Sequence, residues 1–204
     1  MSMRTAVLAA MVVLACAGCA AVQTQPVAQP QIPTIVPPTS FSRIPQMVDR
    51  PIPDDCELVV PLELFNQKLG RELPGELKTI IGIKEPSLGR TGKIDCYYGV
   101  PERQPLGAAP VVIGLATYND EPTAVNRVTE SVDLERQGGA TVREVDVGKR
   151  KGQFVSTKDE RLVIGSLGKT TYVARAKAGV VPDDAIAGLL AALAQQSMTP
   201  IEGA

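Results

Sequence analysis

Histidine and tryptophan are missing from this 204-residue chain, and phenylalanine and tyrosine together supply only 3% of it. Without histidine there is no Ser-His-Asp or Cys-His nucleophile, no HExxH protease site and no His-ligated zinc. The one side chain that changes charge near neutral pH without perturbation is also gone. So few aromatic rings remove the stacking platforms that single-strand binders use. A formal net charge of −1 and a pI of about 5.6 leave no basic footprint for nucleic acid. No repeat recurs at a fixed period.

Motifs of cofactor chemistry are equally scarce. Gly168-Lys169-Thr170 matches the end of a phosphate-binding loop. That loop needs a glycine where Val163 stands and a helix after it, whereas Thr170–Ala176 reads as a strand. Asn119-Asp120-Glu121 and Asp183-Asp184 lack the alternate-position acids of a calcium loop and read as turn and helix-cap residues. Ser156 and Ser166 have no histidine to activate them, and a pairing with Lys158 or Lys169 has no motif behind it. We therefore expect no catalytic residue, no metal and no cofactor, and a chain that is not an enzyme.

What the chain does carry begins at its N-terminus. Arg4 precedes the apolar run Ala6–Ala15, which is too short to cross ~30 Å of hydrocarbon as a helix of about 20 residues. Cys16-Ala17-Gly18-Cys19 follows and resembles the bacterial lipobox, in which small residues precede the cysteine that receives lipid. Cys19 follows Ala-Gly and leaves a signal of ordinary length; Cys16 follows Val-Leu-Ala and leaves a shorter one. The expectation is a lipoprotein signal peptide over residues 1–18, lipidation at Cys19 with Cys16 as the alternative, and stable anchoring through more than one acyl chain.

Residues 19–55 read as a disordered tether. Pro26, Pro30, Pro33, Pro37, Pro38, Pro45, Pro51 and Pro53 remove backbone donors and fix φ. At ~3 Å per residue such a segment holds a domain tens of ångströms from its anchor.

The domain should span 56–198, with 199–204 as a tail. Leu58, Leu62, Phe65 and Leu69 recur at helical spacing between Pro61 and Gly70. Strand-like runs follow at Ile94–Val100 and Pro110–Tyr118. Glu121-Pro122-Thr123 opens a helix with Val125, Val128 and Val132 on one side, and Gly138-Gly139 ends it. Four short strands, Thr141–Val147, Gln153–Thr157, Arg161–Leu167 and Thr170–Ala176, are split by turn-like Gly148–Gly152, Lys158–Glu160 and Gly168-Lys169. A last helix starts at Pro182-Asp183-Asp184 and carries Ile186, Leu189, Leu190 and Leu193. The order predicts a single α+β domain, a mainly antiparallel sheet packed by helices on one face.

Cys56 and Cys96 are the pair left in the domain. Their spacing is far from CxxC and no histidine or further cysteine completes a metal site. In an exported chain they read as a disulfide, worth ~4 kcal/mol on the chain-entropy picture. Lys149-Arg150-Lys151 is the densest basic cluster, an exposed hairpin tip able to touch anionic headgroups or wall polymers.

Taken together, the lipobox, the Pro-rich tether, Asp55-Cys56-Glu57-Leu58 leading into a helix that ends Leu69-Gly70, and Asp95-Cys96-Tyr97-Tyr98 opening a strand resemble the small cell-envelope lipoproteins of mycobacteria and related actinobacteria. The resemblance runs from Cys16 to about Tyr118. It implies a lipid-anchored chain on the extracytoplasmic face of the cell membrane, with a paired-cysteine domain of unassigned role. The expected function is non-enzymatic: binding a protein partner or supporting an envelope complex. The alternative is a small lipid or glycolipid carrier, for which the Ala/Gly-rich last helix would leave room in the core.

Overall fold

The computed structural model describes residues 46–82 and 84–201. The signal segment, Cys16, Cys19 and most of the tether lie outside these residues. Helix α1 (Leu62–Leu69) is followed by strands β1 (Glu76–Gly82), β2 (Arg90–Val100) and β3 (Val111–Tyr118). Helix α2 (Glu121–Gln137) leads into β4 (Thr141–Val147), β5 (Arg150–Ser156), β6 (Glu160–Leu167) and β7 (Thr170–Lys177), and α3 (Asp183–Ser197) closes the chain. No helix among the described residues is long and apolar enough to cross a membrane.

All seven strands form one antiparallel sheet in the order β1-β2-β3-β7-β6-β5-β4. It is two meanders joined where β3 pairs β7, with α2 carrying the chain from the centre to the far edge. This is the expected α+β fold with one addition, because β1 stands where the sequence suggested only a connection. Glu76–Gly82 buries no residue and so lacks the alternation by which a half-buried strand is recognised.

Period-two alternation sends the strand residues to two different clusters. Ile94, Cys96, Tyr98, Ile113, Leu115, Val163, Tyr172 and Ala174 meet Phe65 of α1 and Ile186, Leu190, Leu193 and Ala194 of α3. Val155, Leu162, Ile164 and Val173 meet Val128 and Val132 of α2. The helices are therefore divided between the faces, α1 and α3 on one and α2 on the other, which corrects the one-face expectation. The cause lies in β6, where Leu162, Val163 and Ile164 are consecutive apolar residues. Consecutive burial serves both sides of a sheet.

Local chemistry fixes the element ends. The Asp120 carboxylate accepts from the Thr123 N–H at 2.8 Å and caps α2, and the Thr123 hydroxyl, then that N–H, hold its pKa below the ordinary value. Gly70, at φ +75°, ends α1 with its N–H donating to Gln67 O.

Cys56 and Cys96 are bonded, with Cα atoms 5.5 Å apart and no exposed surface on either. Beside the bond, Phe65 stacks on Tyr98 with centroids 4.2 Å apart, and the Tyr98 hydroxyl donates to Val60 O at 2.6 Å. Burial, then the nearby charges of Glu57 and Asp55, holds that phenol well above its ordinary pKa.

Packing begins before Cys56. The Val48 N–H donates to Met198 O at 3.0 Å. Thr170 Oγ1 lies 2.8 Å from Asp49 Oδ1 and 2.9 Å from Arg50 O, and the Arg50 guanidinium donates to Leu58 O and Ser197 O at 3.2 Å each. The end of the Pro-rich stretch is thus a strap on the domain, crossing the C-terminal end of α3 and the β6–β7 turn. Proline-rich composition favours an extended backbone but is silent on what that backbone touches.

Candidate functional site

The face under α3 is sealed. The opposite face is only partly covered, because α2 lies over β6 and β7, meets β3 near Ala116 and Tyr118 through Ala124, and leaves the β2 side of the sheet open. Beside α2 runs a cavity of about 200 Å³ floored by Gly114, Leu162, Ile164 and Val173 and walled by Ser131, Val132 and Glu135 of the helix. It shares Lys93, Asp95, Val173 and Arg175 with a second depression of about 270 Å³, which reaches Tyr97, Val112, Glu160 and Lys177 beside Gly107 and Ala109 of the loop before β3. The two form one groove along the sheet.

Gly114 makes the groove what it is. A Cβ there would stand 2.7 Å from Asp95 Oδ1 and 3.1 Å from Val173 Cγ1, so the bare backbone lets the Asp95 carboxylate lie across β3. Lys93 Nζ holds that carboxylate at 2.6 Å, both side chains standing on one face of β2 two residues apart. Arg175 and Glu160 pair at 3.5 Å on the neighbouring strands, and Arg90 reaches toward Glu85 at 4.0 Å with a buried Nε that has no partner among the described residues. The result is an apolar floor with alternating charges at its rim. The Ser131 hydroxyl donates to Arg127 O at 2.8 Å, within its own helix.

The residues singled out in the sequence are scattered around this groove rather than gathered in it. Lys149 sits in a two-residue turn after Gly148, while Arg150 and Lys151 belong to β5 rather than to a five-residue turn. Lys151 pairs with Asp146 at 2.6 Å and Glu144 at 3.4 Å, and the Asp146 contact raises its pKa. That leaves a smaller cationic tip than the sequence suggests. Gly168-Lys169 is the β6–β7 turn, strapped by Asp49, and Thr170 opens a strand. Among the described residues no hydrogen bond joins Ser156 or Ser166 to a lysine, and no three His, Cys, Asp or Glu side chains are placed to hold a metal.

Sequence reasoning missed Lys93, Asp95, Gly114 and Arg175. The signal was there: charges two apart inside an apolar strand, facing a glycine interior to the next one.

Tyr172 marks the sealed face by contrast. Its ring lies over Gly165 with its hydroxyl beside Gly152, that hydroxyl has no partner among the described residues, and burial pushes its pKa up to about 12.

No protein-family profile and no curated protein matches the chain. A solved structure to which it is similar is the extracellular domain of PknH from Mycobacterium tuberculosis, at 12% identity and a TM-score of 0.42, covering 73% of this chain and 97% of that one. That likeness is too distant to carry an argument.

Proposed function

We propose that this chain is a lipid-anchored, extracytoplasmic binding protein without catalytic activity, whose half-open sheet face receives a segment of a protein partner. The observation that carries the reading is the groove beside α2. Its two parts, about 200 and 270 Å³, run on from each other along the sheet and suit successive side chains of an extended segment. Paired charges at the rim fix register more than they add affinity. Lipidation at Cys19, or at Cys16, would hold this face at the outer surface of the cell membrane.

Lipid or glycolipid carriage has less support. Leu190, Leu193 and Ala194 of α3 have no exposed surface, and neither part of the groove is lined by a residue of that helix. The small residues of α3 bring the helix close to the sheet instead of leaving room beneath it.

A photo-crosslinking residue in place of Tyr97, with a control in place of Val48, tests the groove in actinobacterial cells expressing the full chain. A discrete protein adduct from position 97 alone is expected; equal adducts from both positions, or none, would sink the reading. The anchor is tested separately by incorporation of labelled palmitate. Loss of label in Cys19→Ala assigns Cys19, loss in Cys16→Ala assigns Cys16, and an unlabelled wild-type chain removes the anchor.

A further inference from the structure

The two edges of the sheet are unequal. β4 carries Arg143, Glu144 and Asp146 along its length, with Arg143 folded over the Phe154 ring at 4.7 Å and Lys151 bridging both acids. Charges of this kind are how sheets keep other chains from adding to an edge. β1 has no such guard at its centre. Thr79-Ile80-Ile81-Gly82 is uncharged, and Ile80 and Ile81 are 42% and 57% exposed, one on each face.

We infer that β1 is an interaction edge for a second copy of this chain, paired antiparallel about Ile80 so that two sheets run on as one. Register singles out this centre. Glu76, Lys78, Ile80 and Gly82 stand on one side of the strand by alternation, with a register shift on the β2 side between Glu76 and Lys78; Lys84 lies beyond the strand end, next to Glu85, which faces Arg90 in the same register as Gly82 and Lys93. A two-fold through Ile80 places Ile80 on Ile80, Lys78 beside Gly82, and Glu76 opposite Lys84. On the other side it places Thr79 against Ile81. None of these facing pairs sets like charges against each other. Glu76, which already pairs with Lys78 of its own strand, gains a second cation.

The neighbouring centres are worse. A two-fold through Ile81 puts Lys78 against Lys84, and one through Thr79 puts Lys78 against Ile80. Like charges directly opposite are destabilising. The chain's own tether is a poor occupant of this edge, because prolines at 26, 30, 33, 37 and 38 interrupt the row of donors a ladder needs. Two seven-residue edges bury little beside the ~1,200 Å² at the low end of stable complexes, so pairing rises with concentration. Because antiparallel partners place facing side chains on the same side, both grooves would open the same way. This inference does not rest on the proposed anchor or on the groove's partner.

The experiment is oxidative crosslinking in whole cells of full-chain variants that each carry one added cysteine beside the native four, read by gel mobility and adduct mass. Facing Cα atoms lie about 4.5–5.5 Å apart, within disulfide reach, whereas the two Lys78 positions would be ~13 Å apart. Ile80→Cys should give a homodimer about tenfold more than Lys78→Cys or Lys84→Cys, given the ~7 Å limit on bridging. Lys78→Cys mixed with Gly82→Cys should bridge as a heterologous pair. Sedimentation of a chain carrying Ile80→Lys should show a monomer where the unsubstituted chain gains mass with concentration. Equal crosslinking at all positions, stronger crosslinking at 78 or 84, an adduct with a different protein, or a monomeric unsubstituted chain would each overturn the inference.

Discussion

Ile113, Leu115, Val163, Tyr172 and Ala174 point to one face of the sheet and are no more than 1% exposed. Their neighbours on the other face include half-buried Ile164 and Val173, and Arg175 reaches solvent. The strands are the same; the helices over them differ. α3 presents Ala187, Ala191 and Ala194 between its leucines and sits close enough to exclude everything else, whereas α2 presents a narrower stripe and leaves Val125 and Leu134 facing outward. A sheet can thus hold its fold on one face and keep the other for contact. In such an arrangement substitutions should divide cleanly, stability changing with the sealed face and binding with the open one.

The largest expected effect is on the sealed face. Leu190→Ala opens a void between α3 and the sheet and should cost about 2–5 kcal/mol, read as a lower denaturant midpoint at unchanged slope. A change below about 1 kcal/mol would mean that α3 is not the seal described. Next comes the double variant Cys56→Ser, Cys96→Ser, expected to lose about 2–4 kcal/mol because the bond closes a 40-residue separation beneath α1.

Smaller and more discriminating are the two buried phenols. Tyr98→Phe forfeits the hydrogen bond to Val60 O and should cost about 1 kcal/mol, whereas Tyr172→Phe removes a hydroxyl with no partner and should leave stability unchanged or higher. Alkali gives a second reading on Tyr172. The folded state raises the Tyr172 pKa to about 12, so its contribution is intact below the ordinary phenol value near ~10 and disappears as pH climbs through 12. Tyr172→Phe should therefore move alkaline unfolding, followed by circular dichroism, to higher pH. The smallest stability effect belongs to the open face. Arg175→Gln breaks a half-exposed pair with Glu160 and should stay within about 0.5 kcal/mol of the parent while weakening the position-97 adduct. Equal loss of stability on both faces would end the distinction.

The sealed face is the part that could be read from sequence. Ile186, Leu190 and Leu193 gave α3 away by spacing, and Thr170–Ala176 showed its alternation plainly. β1 was hidden because an edge strand that buries nothing imposes no pattern on its residues. The start of β5 was hidden because Arg150 and Lys151, both charged, look like a turn until Gly148, at φ +60°, is seen to make the turn in two residues. The groove escaped for a third reason. It is defined by residues on β2, β3 and β7, far apart in the chain and adjacent only through register, and its floor depends on a side chain that Gly114 does not have.

The disulfide also decides how the domain carries tension. A pull on the chain ahead of Gln46 is met first by the strap, where Val48, Asp49 and Arg50 are held by α3 and the β6–β7 turn. Once these hydrogen bonds peel away, the force reaches Cys56 and passes through the sulfur bridge straight into β2, second strand from the edge. Residues 57–95 fall outside the load path. α1 and β1 are mechanically sheltered, so the exposed edge at Ile80 keeps its shape whether the chain behind it is slack or taut.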